Sequence, residues 1–394
     1  MSANNNGTLL LKEITLRNLL SFGPKTEAIV LNHLNVLIGI NGSGKSNLLE
    51  AIVLLRSAAT DIRAVIRKGS GVTEWIWKGS PDANASAELL IHNPFGHQAL
   101  RHFLSFHSVN QSFVLQDERI EKAQPDPGES RPYFYYHYEH GRPVLNVKGE
   151  NRKLMRENVE LDSSILAQRR DPEMYPEVTY LGSTYDKIRI YREWAFGRNT
   201  VFREPQKADA RNDRLEEDFS NLGLFLNRLR RLPQAKNAIL AALRDLYDGI
   251  SDFDVSIEGG TVQVFFTEGN FTIPATRLSD GTLRYLCLLA ILCDPTPPPV
   301  ICIEEPELGL HPDIIPKIAD LLKKAAEKTQ LLITTHSDIL IDALSDQPES
   351  VLVCEKQDGQ TMIRRLVKND LTAWLEKYRL GQLWTKGQIG GTRW

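Results

Sequence analysis

The sequence predicts an α/β fold: a mixed central sheet, an antiparallel β subdomain, and a helical lobe inserted into the middle of the chain. Three observations carry this. Continuous apolar runs within 28–40, at 300–303 and at 331–334 suit strands buried on both faces. Residues at helical spacing follow the first of them, with Leu48, Leu49, Ile52, Val53 and Leu55 on one stripe. Between 85 and 150, short alternating runs are separated by Gly, Pro and Asn, the pattern of antiparallel strands.

Taken in order, 9–20 alternates enough to predict a strand, and 28–40 two more, the second running into a glycine loop. A helix follows from Ser46. The β-rich region of 85–150 ends in a hairpin with His140 and Gly141 near its turn. Text at 205–250 turns charged and helical, and 253–274 returns to β. The last third reads strand, loop, helix, strand, helix, and closes with a strand pair and a helix. No repeat or linker interrupts the chain, and the run at 295–299 is a rigid turn before a strand. The expected organisation is a single unit, in which 1–165 and 275–394 form one lobe with its β subdomain and 166–274 a helical lobe with a short β segment.

The 394 residues carry 47 basic and 50 acidic side chains, a formal net charge of −3. Nothing global draws this chain to nucleic acid or anionic lipid, so any such binding needs a local patch. Cys287, Cys293, Cys302 and Cys354 show no CxxC or zinc-type spacing and read as buried, reduced thiols. No signal peptide or bilayer-length apolar run is present, which predicts a cytoplasmic protein.

Four motifs carry chemistry. The first is "GINGSGKS", Gly39 to Ser46, between a buried strand and a helix. That is the context a phosphate-binding loop needs. Its glycines admit unusual dihedrals, so backbone N–H groups of 42–46 can converge on phosphates at the helix N-terminus. The nucleotide-binding set is Gly39, Asn41, Gly42, Ser43, Gly44, Lys45, Ser46 and Asn47. Lys45 reaches the β and γ phosphates and Ser46 ligates magnesium. The second is "VICIEEPELGLHP". Two carboxylates end an apolar strand, with Glu304 assigned to the magnesium shell and Glu305 to polarising the attacking water. The third is "LLITTHSD", where His336 ends another buried strand and can contact the γ-phosphate or that water. The fourth is "RLSDGTLRYL", in which Ser279 caps an apolar helix whose first N–H groups can bind an anion.

These motifs, in this order, resemble the P-loop NTPases of ABC type, in the branch of RecF, SMC and OLD-like ATPases. The resemblance covers nearly the whole chain. It implies ATP and Mg2+ as ligands, Lys45, Glu305 and His336 as the catalytic set, and Ser46, Glu304 and a glutamine at the metal. Gln168, preferred over Gln116, matches the position where the two lobes join. Glu304 stands where an aspartate is usual. Ser279 and Gly281 match the signature that completes the ATP site of an opposite subunit, while Asp280 and Thr282 depart from its usual glycine and glutamine. Glu307 to His311 match the loop that touches the partner.

The resemblance therefore implies a head-to-tail homodimer glued by ATP and released by slow hydrolysis. Long coiled-coil arms and a nuclease domain are missing from the text, so a separate effector protein is expected, in DNA repair or antiphage defence. DNA is a candidate partner through Arg63, Arg67 and Lys68, Arg169 and Arg170, and Arg228, Arg230 and Arg231. The alternatives are the ATPase subunit of a membrane transporter, and a scaffold that binds ATP and holds a toxin partner.

Overall fold

The computed structural model describes residues 8–391, apart from 140–141, 148–149, 154–159, 161, 196, 198–199, 202 and 248. The first half of the chain gives β1 (Leu11–Arg17), β2 (Ile29–Val30) and β3 (Leu34–Ile38), then α1 (Lys45–Ser57), α2 (Ile62–Lys68) and α3 (Val72–Trp75). Strands β4 (Ala85–Ile91), β5 (Leu100–Val109), β6 (Ser112–Lys122), β7 (Phe134–Glu139), β8 (Arg142–Val147) and β9 (Glu150–Lys153) follow. The two short helices α4 (Ile165–Gln168) and α5 (Pro176–Tyr185) come next. The second half gives β10 (Arg189–Tyr191), β11 (Gln206–Lys207), α6 (Leu222–Arg230), α7 (Pro233–Leu246), β12 (Ile250–Glu258), β13 (Thr261–Glu268) and β14 (Phe271–Pro274). It continues through α8 (Asp280–Leu292), β15 (Val300–Glu304), α9 (Ile315–Ala326), β16 (Gln330–Thr334) and α10 (Asp338–Asp342). Strands β17 (Val351–Gln357) and β18 (Gln360–Arg365) and helices α11 (Lys368–Leu375) and α12 (Leu380–Thr385) complete it.

By its internal contacts the chain divides into two units. One comprises Gly7–Ile188, Glu349–Leu366 and Ile389–Trp394; the other is built of Arg189–Pro348 and Val367–Gln388. These bounds differ from the expected ones, and strand pairing says why. β10 runs parallel to β15, matching Arg189 to Ile301 and Tyr191 to Ile303, so the chain from 189 onward belongs with the later strands. β17 runs parallel to β3, matching Val351 to Val36 and Val353 to Ile38, so this late strand joins the first unit.

In the first unit an antiparallel sheet runs β2-β1-β4-β5-β6-β7-β8-β9, which meets the reading of 85–150 as antiparallel β. The β7–β8 hairpin forms as expected; its turn, 140–141, lies outside the described residues. β1 is shorter than the expected 9–20 because Asn18 and Leu20 take left-handed φ of 50° and 54°, which no pleated strand continues. Parallel β3 and β17, with β18 antiparallel to β17, hold the glycine loop.

In the second unit β10, β15 and β16 form a parallel run. All five residues of β16 are buried, and so are Val300 to Ile303 of β15. Each large apolar side chain removed from water there stabilises by about 1.5–3 kcal/mol. α9 is amphipathic, burying Ile315, Ile318, Ala319, Leu322, Ala325 and Ala326 at helical spacing. The helical text of 205–250 needs a correction. Helix starts only at Leu222, and 205–221 is turn with the two-residue β11. The Asn221 amide donates to the carbonyls of Arg211 (2.8 Å) and Arg214 (2.7 Å) and accepts the Glu216 N–H (2.9 Å). A side chain that captures the backbone in this way competes with helix.

Candidate active site

In the first unit, β3 delivers the chain into the glycine loop. Gly39, Gly42 and Gly44 take φ of 148°, 78° and 101°. Gly39 and Gly44 are also spatially required. A Cβ on Gly39 would lie 2.3 Å from the Cys354 carbonyl oxygen, and one on Gly44 would lie 2.0 Å from Thr361 Oγ1. At Gly42 a Cβ would meet nothing within 4 Å, so only its backbone angle calls for glycine. Thr361 donates to the Ser43 carbonyl (2.9 Å) and shares a 2.6 Å hydrogen bond with Ser21 Oγ. Ser21 Oγ also accepts from the Asn47 amide at 2.7 Å, so Asn47 anchors the loop from behind. Cys354, Thr361 and Ser21 were invisible as site residues in the sequence, because none lies in a motif.

Lys45 is buried, and its ammonium donates to the carbonyls of Gly39 (2.8 Å) and Ile40 (3.1 Å). Gly44 is the N-cap of the 13-residue α1 and has no side chain with which to cap it. Ser43 Oγ is buried with no hydrogen-bond partner, while Asn41 and Ser46 are exposed. An uncapped helix start, a lysine folded into the loop and an orphaned hydroxyl fit a bound polyphosphate.

Gln168 ends α4. Its Nε2 donates to the carbonyls of Glu160 (3.1 Å), Ser163 (2.9 Å) and Ser164 (3.3 Å), and its Oε1 accepts the Glu160 N–H at 2.9 Å. The amide ties a loop together. Gln116 is the extra residue of a bulge in β6, between the pairs Ser105–Asp117 and Phe106–Leu115.

In the second unit, β15 and β16 pair in register up to Glu304 and Thr334, so their ends lie side by side. The next residue, Glu305, takes a left-handed φ of 47°. Its N–H donates to the Thr334 carbonyl at 3.0 Å, and His336 Nε2 lies 3.6 Å from its Oε1. Both side chains are about one-third exposed, at 36%. Glu307 Oε1 accepts from Thr335 Oγ1 (2.7 Å) and the His336 N–H (2.8 Å). The Glu304 carbonyl accepts from Trp194 Nε1 at 2.7 Å. Arg284 of α8 donates to the Leu308 carbonyl, and its guanidinium sits 5.0 Å from the Trp194 ring centre. Burial lowers the Arg284 pKa from its ordinary value, while the charges of Cys287, Glu307 and Glu305 act the other way. Sequence reasoning missed Arg284, although a charge inside an apolar helix was its signal.

Ser279 is the N-cap of α8, accepting the Thr282 N–H at 3.1 Å. Ser279 and Asp280 are exposed. Gly281 is tightly placed: a Cβ there would come within 3.2 Å of the Gly309 carbonyl. The carboxylate of Asp280 is held by Arg203 at 2.6 Å. Arg203 also donates to the carbonyls of Gly197 (3.0 Å), Leu278 (3.0 Å) and Thr276. The acid that stands where the resemblance leads one to expect a glycine is thus paired with a fixed cation.

The basic clusters are less available than their sequence suggests. Arg63 pairs with Asp162 (2.6 Å) and Glu160 (3.5 Å), Arg228 with Asp294 (2.9 Å), Arg230 with Asp254, and Arg170 with Asp186 at 3.8 Å. Among the described residues, no helix is long and apolar enough to cross a membrane, and no group of three or more His, Cys, Asp or Glu could hold a metal. A magnesium ion here would rely on phosphate oxygens and water beside few protein ligands.

The fold is that of a P-loop ATPase of the ABC/SMC-head type. The chain belongs to the family described as "AAA domain, putative AbiEii toxin, Type IV TA system", which matches residues 34–342. Solved structures similar to it include an Smc head bound to the C-winged helix domain of ScpA, with 13% identity over 92% of this chain and 99% of that one, at a TM-score of 0.58. An Smc head with an extended coiled coil from Pyrococcus furiosus, bound to the C-terminal domain of ScpA, is 13% identical over 93% and 99%, at 0.57. One with a coiled coil and joint from Pyrococcus yayanosii is 12% identical over 93% and 99%, at 0.53. No curated protein sequence matches the chain.

Proposed function

We propose that this protein is an ATP-binding and ATP-hydrolysing switch of the cytoplasm. Two copies associate head to tail, Lys45 and Ser46 of one copy and Ser279 and Gly281 of the other closing each nucleotide site. A separate effector acts with the dimer, in DNA repair or antiphage defence. The observation that carries this reading is the pairing of Glu305 with His336, 3.6 Å apart at the ends of adjacent parallel strands. A carboxylate held beside an imidazole can take the proton of an attacking water while the imidazole orients it. The exposed, capped start of α8 supports the trans role of the signature, because its N–H groups can receive an anion from another subunit. Magnesium, when bound, neutralises phosphate charge, and Ser46 and Glu304 are the residues that would hold it. Gln168 would have to surrender its loop contacts to join them. DNA remains a weaker partner, since four of the basic side chains are already ion-paired.

A second reading, to which the family description lends a toxin–antitoxin context, is a non-catalytic ATP-dependent scaffold holding a toxin partner. One experiment separates them. Glu305→Gln should keep ATP binding and trap a dimer by light scattering with ATP, while the wild type hydrolyses and returns to monomer. Lys45→Ala should abolish binding in titration. A Glu305→Gln variant that stays monomeric sinks the two-site dimer, and a wild type that binds ATP without turnover supports the scaffold.

A further inference from the structure

The loop after β15 matches, by family resemblance, a segment that touches a partner subunit. Glu307 also makes contacts within its own chain. Its Oε1 accepts two hydrogen bonds from the end of β16, from Thr335 Oγ1 at 2.7 Å and from the His336 N–H at 2.8 Å. Its Oε2 is buried and has no hydrogen-bond partner. Thr335 is itself buried and accepts the Ser337 N–H at 3.0 Å, so the bracing continues into the first turn beyond. On the other flank, Glu305 N–H reaches Thr334 O (3.0 Å) and Oγ1 (3.3 Å). Residues 305–307 and 334–337 are therefore laced at three levels, with the His336 ring and the Glu305 carboxylate at the open end.

We infer that Glu307 is a positioning residue for hydrolysis: it fixes the backbone at His336 so that the imidazole stays beside the Glu305 carboxylate. This rests on the proposed ATPase reading. The geometry makes it specific. A carboxylate gripping the peptide N–H of the histidine sets where its Cα begins, and the 3.6 Å Nε2–Oε1 separation depends on that origin. Both bonds fall on one oxygen, so the amide oxygen of a glutamine can replace it. Misplacing an aligned group by about 1 Å costs on the order of 100-fold in rate.

The test is steady-state ATP hydrolysis by the full chain. Glu307→Ala should lower kcat on the order of 10–100-fold with KM for ATP unchanged. Thr335→Val, which removes one of the two donors, should lower kcat less, and Glu307→Gln should keep a rate near wild type. The double variant Glu307→Ala, His336→Ala should be no slower than His336→Ala alone, because Glu307 acts through that histidine. A general loss of structure would instead slow the double variant further. The inference is overturned by a Glu307→Ala enzyme at wild-type rate, by multiplicative losses in the double variant, or by Glu307→Gln as slow as Glu307→Ala. Where Glu307→Ala does not fold, Thr335→Val at full rate overturns it. A wild type without any hydrolysis removes the ATPase reading and this role with it. A hydrolysing wild type with an indifferent Glu307 removes only the role.

Discussion

Glu305 adopts a left-handed backbone that a side chain with a Cβ enters at a cost of roughly 1–2 kcal/mol. Such a cost persists where the surroundings over-determine it. Here the determinants are its N–H bond to Thr334 and the Leu308 N–H that its own carbonyl accepts at 3.1 Å. Glu305→Gly should consequently raise unfolding stability by about 1 kcal/mol while abolishing hydrolysis, as read by denaturant titration beside an ATPase assay. A less stable glycine variant would show that the carboxylate contributes more to the fold than its backbone costs. At this scale the sequence was partly legible. Glu304, Glu305 and His336 stood at the ends of apolar runs, and strand geometry alone put them at one edge. Thr335, Trp194 and Arg203 did not stand out, and Glu307 stood out only as part of the partner-facing loop, because each acts through a contact with residues distant in sequence, which no local pattern encodes.

At the scale of elements, the glycine loop and α8 are the two proposed anion-binding devices, and each is held by backbone proximity. Gly44→Ala forces a Cβ against Thr361 at a left-handed φ. It should destabilise by about 1–3 kcal/mol and weaken ATP binding in calorimetric titration. Gly42→Ala has open space, so only the dihedral opposes it, at about 1–2 kcal/mol. Equal losses at the two positions would mean that the Thr361 contact is unimportant. The strand and helix pattern around these devices was read well from sequence, because buried parallel strands are apolar throughout and α1 and α9 keep helical spacing. The stretch before α6 was misread. Charged text looked helical, yet Asn221 and the left-handed Phe219 wrap the chain into turns before Leu222. Local propensity lost to side-chain capture of the backbone.

At the scale of the whole molecule, buried titratable groups set the alkaline limit. Burial pushes the Cys354 thiol up to about 12 and the Cys293 thiol to about 11, and Tyr135 rises to about 12 through burial and the charge of Glu177. A group whose folded pKa is raised contributes stability that is present below its unfolded value and lost as pH climbs through the folded one. The urea midpoint should hold up to about pH 8 and fall steadily between about pH 9 and 12. A flat midpoint through pH 11 would contradict this. The same thiols should resist alkylation in the folded protein at pH 8, because the thiolate is the nucleophile. The division into two units was not legible, since it depends on β10 and β17 joining strands far away in the chain.

Ser43 and Thr361 are 318 positions apart, yet their bond closes the wall of the phosphate loop. During synthesis the loop leaves the ribosome well before Cys354 and Thr361 are made. The glycine turn acquires its back only when that later segment has been made. Contacts of such separation form late and slowly. Nucleotide can therefore reward correct folding only once the segment carrying Cys354 and Thr361 is in place.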